Sequence, residues 1–160
     1  MATTDDLAAL AAAAPDRSGL DFLRAICDGE LPPAPIQRLL GFRLVEVGEG
    51  RVVFSLTPRE EHYNPIGVVH GGVAGTLLDS AMGAAVHTTL PAAGGYATLE
   101  TSFNLVRPIT LKTGEVRAEG TVIHGGSRVA TASGRVTRVS DGALLAHGTS
   151  TCLIISAPAT

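Results

Sequence analysis

Two features that lie close together in the chain have the residue types that attack on a carbonyl group requires. The first is His70-Gly71-Gly72, which follows a turn rich in Pro and Gly and precedes an apolar, helix-like stretch. Because the first N–H groups of a helix have no intrahelical partner, such an entry can bind an anion or a developing oxyanion. The second is Asp79, a carboxylate among apolar neighbours, which is costly to bury without a partner or a task. Together they predict a site for attack on a carbonyl.

The spacing of Gly71 and Asp79 restricts how the two residues can act together. Asp79 lies eight positions after Gly71, which on a straight helix is about 12 Å of rise and about 80° of rotation. The two groups therefore cannot reach one carbonyl carbon from the same straight helix. Either the helix bends sharply, or Asp79 meets the Gly71 of a second subunit.

Composition limits the class of protein. The chain has 160 residues, 45% of them hydrophobic, which is enough for one domain with a packed core. A net charge of −3 without a dense basic run argues against nucleic-acid binding. Cys27 and Cys152 form neither a metal-ligand spacing nor a disulfide framework. The acidic N-terminus lacks the positive charge of a secretory signal, so we expect a cytoplasmic protein that does not bind membranes.

The first 35 residues differ in character from the rest and are predicted to be a helical extension, followed by a main domain over residues 36–160. Two short helices are expected, one ending at Pro15 and one capped by Ser18. The run Leu31-Pro32-Pro33-Ala34-Pro35 is a stiff linker. We expect one further helical turn between Ile36 and Leu40.

The main domain combines one long helix with β-rich runs. The helix is expected from about Gly71 to Leu90 and, with few charges, should be buried on most sides. Short turns between successive strands favour antiparallel neighbours, so the order β-β-α-β-β-β-β predicts an α+β fold with an antiparallel sheet wrapped around one central helix. The predicted strands are Phe42 to Val47, Arg51 to Thr57, Tyr96 to Arg107, Gly114 to His124, Arg128 to Val139 and Leu144 to Ile155.

This arrangement resembles the hotdog-fold thioesterases, and most closely the phenylacetate-pathway (PaaI-like) group. The resemblance covers about Ile36 to Ile155 and leaves the first 35 residues outside it. It depends on the joint spacing of several motifs before, within and after the helix. These are Asn64, the His70-Gly71-Gly72 triplet, Asp79 nine positions after His70, and Phe103-Asn104-Leu105-Val106-Arg107-Pro108.

The resemblance implies hydrolysis of acyl-CoA thioesters to free acid and CoA, with no metal or redox cofactor. The Gly71 N–H would bind the thioester carbonyl oxygen, and Asp79 would be either the nucleophile or the general base that activates water. Asn64 would help to position the water or the thioester. Thr98 stands where relatives place a Ser or Thr that assists the acid. The hydroxybenzoyl-CoA branch has a Glu followed four residues later by a Thr, whereas Gly83 follows Asp79 here, so this chain departs from that branch.

The residue pattern alone leaves the role of Thr98 open. Strict alternation along its strand places Thr98 on the polar face with Glu100, Ser102 and Asn104, whereas the apolar face is expected to pack on the helix. Whether Thr98 reaches the site is therefore undecided by the sequence.

Further residues are candidates for binding the substrate. The acyl pocket is expected to be lined by small and aliphatic residues, and basic side chains are candidate partners for the CoA phosphates. His70 is expected mainly to fix the loop by a hydrogen bond from its imidazole. The candidate substrate-binding residues are His70, Gly72, Thr76, Met82, Phe103, Arg107 and Arg128.

The resemblance also selects between the two geometric alternatives for Gly71 and Asp79. In the family, two central helices run antiparallel across a dimer interface, so we predict a homodimer with two equivalent sites, each built from both chains. Assembly of two dimers into a homotetramer is expected as well. Two other functions are compatible with the same fold: a non-catalytic acyl-CoA binder or sensor, and an enoyl-CoA hydratase. The hydratase is disfavoured because the loop before Asn64 has no Asp followed five residues later by a His.

Overall fold

The N-terminal segment forms three short helices. The computed structural model describes residues 4–155. Helix α1 spans Thr4–Ala13, α2 Gly19–Cys27 and α3 Pro35–Leu40. Helix α2 begins where the sequence predicts, because the Ser18 hydroxyl accepts the Asp21 N–H at 3.1 Å and so pairs one of the unsatisfied donors of the first turn. A salt bridge between Asp6 and Arg38 joins α1 to α3.

The remainder of the described chain is one long helix and a six-stranded antiparallel sheet, as the sequence predicts. The helix α4 spans Gly71–His87 and lies between the second and third strands in the chain. The order of strands across the sheet is β1-β2-β4-β5-β6-β3, so β1 and β3 form its two edges. The strands are β1 (Phe42–Gly48), β2 (Arg51–Leu56), β3 (Gly95–Leu105), β4 (Val116–Gly125), β5 (Val129–Arg138) and β6 (Leu144–Ile155).

Helix α4 lies unusually close to the middle of the sheet because glycines stand beneath it. Gly120, Gly134 and Gly148 pair side by side on β4, β5 and β6. A Cβ on Gly120 would collide with the Ala81 carbonyl oxygen, and one on Gly134 would lie 2.9 Å from Met82 Cγ. With no side chains at these positions, the helix backbone can approach the strands directly.

The core lies between α4 and the concave face of the sheet. Leu78, Ala81 and Met82 of the helix are fully buried. Aliphatic side chains from β2, β4, β5 and β6 complete it, so the core is built from aliphatic residues as the composition predicts. These strand residues are Val52, Leu56, Val116, Ala118, Ala132, Val136, Leu145 and Ala146. No helix within residues 4–155 is long and apolar enough to cross a membrane.

Candidate active site

The entry into α4 leaves one backbone donor free. His70 caps the helix, and its Nδ1 accepts the Gly72 N–H at 2.9 Å. The His70 N–H donates to the His62 carbonyl, and the Val73 N–H donates to the His70 carbonyl. Within residues 4–155, the Gly71 N–H donates to no protein acceptor. The amide that the sequence singles out is therefore available to an outside acceptor at the positive end of the helix dipole.

A cleft of about 320 Å³ opens beside this amide. Gly71 and Ala74 form its helix side, and the chain leaving β3 forms the opposite wall through Leu105, Arg107 and Ile109. The walls are mostly apolar, and the volume is at the lower end of the range for small-molecule sites. Such a cleft can hold part of a ligand while the amide binds one of its oxygens.

Asn64 lies on the loop side of this cleft and folds the loop with its side chain. Its Oδ1 accepts the N–H groups of Ile66 at 3.1 Å and Val68 at 3.3 Å, which is the local turn that Asn side chains commonly form. Its Nδ2 has no acceptor within the described part of the chain. Asn64 Oδ1 therefore stabilises the fold of the loop, and Asn64 Nδ2 remains available as a donor.

Asp79 is half-buried on α4 and has no cationic partner among the described residues. Its Oδ1 accepts hydrogen bonds from the hydroxyls of Thr98 at 3.1 Å and Thr101 at 3.0 Å. Its Oδ2 accepts none from residues 4–155. The carboxylate is therefore held by one oxygen and free at the other, unlike a carboxylate in a structural ion pair.

A β-bulge brings both threonines to the same carboxylate. The register between β3 and β6 shifts between Thr98 and Glu100, which leaves Leu99 as the extra residue. The bulge reverses the alternation, so that Thr98 and Thr101, three positions apart, both face α4. The expectation that Thr98 shares the outer face with Glu100 and Ser102 is wrong for this reason. Nothing in the local sequence marks the bulge, and Thr101 is a site residue that the sequence analysis missed.

A small polar cluster continues behind Asp79 toward β6. The Thr101 hydroxyl is 3.4 Å from Ser150 Oγ, which in turn donates to the Glu100 carbonyl at 3.1 Å. Burial raises the pKa of the Cys152 thiol, against hydrogen bonds with Ser150 and Thr98 that lower it. Because the thiol stays protonated near neutral pH, Cys152 is a poor nucleophile.

Tyr96 lies beside the polar cluster around Asp79 and Cys152. Burial raises the pKa of its hydroxyl, and the negative charge of Asp79 adds to the effect. A Cβ on Gly83 would lie 2.6 Å from the Tyr96 hydroxyl oxygen, so the absence of a side chain at Gly83 makes room for the ring. The Tyr96 ring therefore fills the space beside Gly83.

The remaining candidates on and beside α4 occupy distinct places. Thr76 is half-buried, and its hydroxyl donates to the Gly72 carbonyl at 2.9 Å. The Phe103 ring covers Gly75, where a Cβ would be 2.7 Å from it, yet Phe103 remains 38% exposed. Met82 is fully buried on the sheet side of the helix. Contact between Met82 and a substrate would therefore require a neighbour to move.

The two candidate arginines lie at opposite ends of the sheet within one chain. Arg107 lines the Gly71 cleft, and its Nη1 donates to the Leu144 carbonyl at 2.6 Å. Arg128 is exposed in the turn between β4 and β5, where its carbonyl accepts the Ile154 N–H. Within residues 4–155, no group of three His, Cys, Asp or Glu side chains is arranged to hold a metal ion.

Gly71 and Asp79 do not meet within one chain. Helix α4 runs without interruption from Gly71 to His87, so the two residues are separated by about 12 Å along its axis. Strand β3 gives a second measure of this distance. Gly71 packs on Leu105 and Asp79 contacts Thr101, and four strand residues span about 13 Å. The free amide and the free carboxylate oxygen therefore lie at different places on the chain.

Comparison with known proteins identifies the family. The model of the thioesterase superfamily matches residues 66–144. Human acyl-coenzyme A thioesterase 13 is 30% identical over 128 residues, which cover 79% of this chain and 89% of that protein. A solved putative thioesterase from Ralstonia eutropha, described as related to phenylacetic acid degradation, is 26% identical with a TM-score of 0.73, covering 82% of this chain and 98% of its own. A conserved protein from Pseudomonas aeruginosa is 30% identical with a TM-score of 0.71, covering 77% and 95%. The chain therefore belongs to the thioesterase superfamily and is a hotdog-fold thioester hydrolase of the PaaI-like group.

Proposed function

We propose that this protein hydrolyses acyl-CoA thioesters to a free acid and CoA. The name of the human relative, an acyl-coenzyme A thioesterase, supports CoA as the thiol. Water supplies the oxygen that adds to the carbonyl carbon, the carbon–sulfur bond breaks, and the thiolate leaves and is protonated. This chemistry uses no metal or redox cofactor, and coenzyme A enters only as part of the substrate.

The unpaired N–H of Gly71 is the observation that carries the proposal. The neighbouring amides of His70, Gly72 and Val73 all have acceptors, and the Gly71 amide has none within residues 4–155. We propose that it donates to the thioester carbonyl oxygen, with the helix dipole adding to the stabilisation of the oxyanion. Since the donor is fixed by the helix, it needs no reorganisation when negative charge develops.

The second catalytic group in the proposal is the partner subunit's Asp79. A carboxylate about 12 Å along the helix cannot act on a carbonyl bound at Gly71 of its own chain. Two α4 helices running antiparallel about a twofold axis would bring each free amide to the other chain's carboxylate and form two equivalent sites. Asp79 acts either as the general base on water or as the nucleophile, and Asn64 Nδ2 donates to the water or to the thioester.

The exposed edge of β3 supports the dimer. This strand has 11 residues and, within residues 4–155, pairs on one side only, with β6. Leu99 is 60% exposed and Leu105 is 54% exposed. A long edge strand that exposes leucine side chains is unfavourable in an isolated chain and is normally paired or covered. Antiparallel pairing of β3 with its copy would cover this edge and set the two α4 helices antiparallel. Assembly of two such dimers into a tetramer belongs to the same proposal.

The substrate is proposed to lie across the dimer interface. The apolar walls at Ile66, Leu105 and Val106 would contact the acyl group or the pantetheine arm, and small residues such as Gly75 leave room beside α4. An aromatic or medium-chain acyl group fits this description. Arg107 and Arg128 are the proposed partners of the CoA phosphates, because an antiparallel partner would bring opposite ends of the two sheets together.

Complementation between two inactive variants tests the function and the shared site together. Gly71→Pro removes the N–H but suits the first position of a helix, where proline is favoured. Gly71→Ala is the matched control, since it keeps the N–H while adding a Cβ that would be 2.6 Å from Leu105 Cδ1. We expect Gly71→Pro to lower kcat by about 10²–10³ and Gly71→Ala to lower it far less. Thiol release from a panel of aromatic and straight-chain acyl-CoAs is the measurement.

The second inactive variant is Asp79→Asn, and the two variants are then expressed together. In a mixed dimer, one site combines an intact Gly71 with an intact Asp79 from the other chain. Random pairing in equal amounts should therefore restore about a quarter of wild-type turnover. Restored turnover supports a site built from both chains, whereas a mixture as inactive as its components contradicts it. Acyl-CoA binding by the wild type without thiol release would contradict the hydrolytic function itself.

A further inference from the structure

Thr101 is a second hydroxyl donor to Asp79, in addition to Thr98. We propose that Thr101 is a positioning residue for hydrolysis: it holds Asp79 Oδ1 so that Oδ2 is the oxygen presented to the reacting atoms. The inference rests on the proposed function, in which Asp79 acts on the thioester or on water. Thr101 lies on β3 and sets the orientation of the Asp79 carboxylate without touching the substrate.

Both hydrogen bonds go to the same carboxylate oxygen. Thr98 Oγ1 is 3.1 Å and Thr101 Oγ1 is 3.0 Å from Asp79 Oδ1, and Oδ2 has no partner within residues 4–155. Two donors on one oxygen restrict rotation of the carboxylate about its last bond. They also occupy lone pairs of Oδ1 and leave those of Oδ2 free. Oδ2 is thereby presented as the base or nucleophile.

The two threonines are not equivalent donors. Thr98 is exposed, whereas Thr101 is half-buried beside Ser150, which is 2% exposed. Ser150 Oγ donates to the Glu100 carbonyl at 3.1 Å. The same Oγ lies 3.4 Å from Thr101 Oγ1 and packs against it. Thr101 is therefore the more rigidly held of the two donors.

The direction of the Thr101 proton follows from its two possible acceptors. A single hydroxyl proton can go either to Asp79 Oδ1 at 3.0 Å or to Ser150 Oγ at 3.4 Å. An ionised carboxylate is the stronger acceptor and is also closer, so the proton points to Asp79. Ser150 consequently supports the threonine from behind and does not compete for its proton.

Thr101→Val tests this role because it removes the hydroxyl and keeps the shape of the side chain. We expect kcat to fall about tenfold, as for loss of one hydrogen bond to a charged group, with KM within about twofold. Thr101→Ser keeps the hydroxyl and should restore kcat. Should Thr101→Val fail to fold, Thr101→Ala carries the same test.

Controls separate this inference from the proposed function. Thr149→Val makes the same change at an exposed position on β6 and should leave kcat and KM unchanged. Thr101→Val added to Asp79→Asn should cause no further loss, because the threonine acts through the carboxylate. Wild-type kcat in Thr101→Val, beside an inactive Asp79→Asn, would overturn the inference alone. Full turnover by Asp79→Asn would overturn both the inference and the proposed role of Asp79.

Discussion

The two edges of the sheet differ in what lies against them. At the first edge, α2 packs on β1, and the Cys27 thiol donates to the Leu44 carbonyl at 3.8 Å. Leu23 of α2 is 7% exposed and belongs to the same core as Phe42 of β1. The N-terminal helices thus cover the edge that begins the sheet and extend the core beyond it.

At the second edge, no described element lies outside β3 in the sheet. Apolar side chains remain exposed along this strand and just beyond it, and the side of the strand that faces α4 carries Thr98 and Thr101. The same strand therefore combines an unpaired edge with the residues that hold Asp79. Because α2 covers one edge, β3 is the edge that remains for pairing among residues 4–155, and it adjoins the candidate site. We expect the covered edge to contribute stability and the bare edge to contribute activity.

Charges placed on the bare edge should give the largest effect. In Leu99→Lys/Ser102→Lys, like charges from two copies of β3 would face each other, which opposes edge pairing. We expect a monomer in sedimentation and a loss of kcat/KM of at least about 10², since each site would lack one of its two groups. Thr149→Lys/Thr151→Lys is the matched control, because it adds the same charges one strand further in. A dimeric, fully active edge variant would contradict the assignment of β3 as the interface.

Loss of packing at the covered edge should change stability and leave turnover intact. Leu23→Ala removes buried aliphatic atoms, and we expect the free energy of unfolding to fall by about 2–5 kcal/mol in chemical denaturation. Turnover per folded molecule should stay near the wild-type value at low temperature. Leu7→Ala, the same change at a side chain that is 55% exposed, should cost less than about 0.5 kcal/mol. A large loss of kcat without loss of stability would show that α2 also shapes the site.

The smallest effect is expected at His87, which lies between α2, at the covered edge, and β3, at the bare edge. Its ring is 5.7 Å from the rings of Phe22 on α2 and Tyr96 on β3. Burial lowers the pKa of His87, against a hydrogen bond to Gly94 that raises it. The unfolded chain therefore binds the proton at higher pH than the folded chain does. The stability of the folded chain is then complete above the usual histidine range and declines as pH falls through it.

Thermal unfolding at a series of pH values measures this effect. His87→Gln should flatten the decline in Tm on the acidic side of the histidine range. His124→Gln, a change at an exposed histidine, should leave the decline as it is in the wild type. An unchanged slope in His87→Gln would assign the acid sensitivity to other groups.

Local sequence patterns were enough to predict the order of the helices and strands and the residues that begin α4. Alternating apolar runs separated by glycine turns predict the strands from β1 to β6 in the right order, because strand patterning and turn chemistry are local properties. The position of Ser18 before an apolar run likewise predicts the N-cap of α2. The triplet His70-Gly71-Gly72 before an apolar stretch pointed to the amide of Gly71, since capping depends on residues within one turn of the helix.

The groups that hold Asp79 and the backbone donor that stays free follow from contacts between distant segments of the chain. The bulge at Leu99 depends on the register between β3 and β6, which pair residues about 50 positions apart, and no local pattern specifies it. Thr101 reaches Asp79 only because of that bulge. The Gly71 amide is identifiable as unpaired only when its neighbours' acceptors, His62 among them, are in place. Local patterns follow from neighbours in the chain, whereas hydrogen-bond partners across strands and loops follow from how distant segments pack.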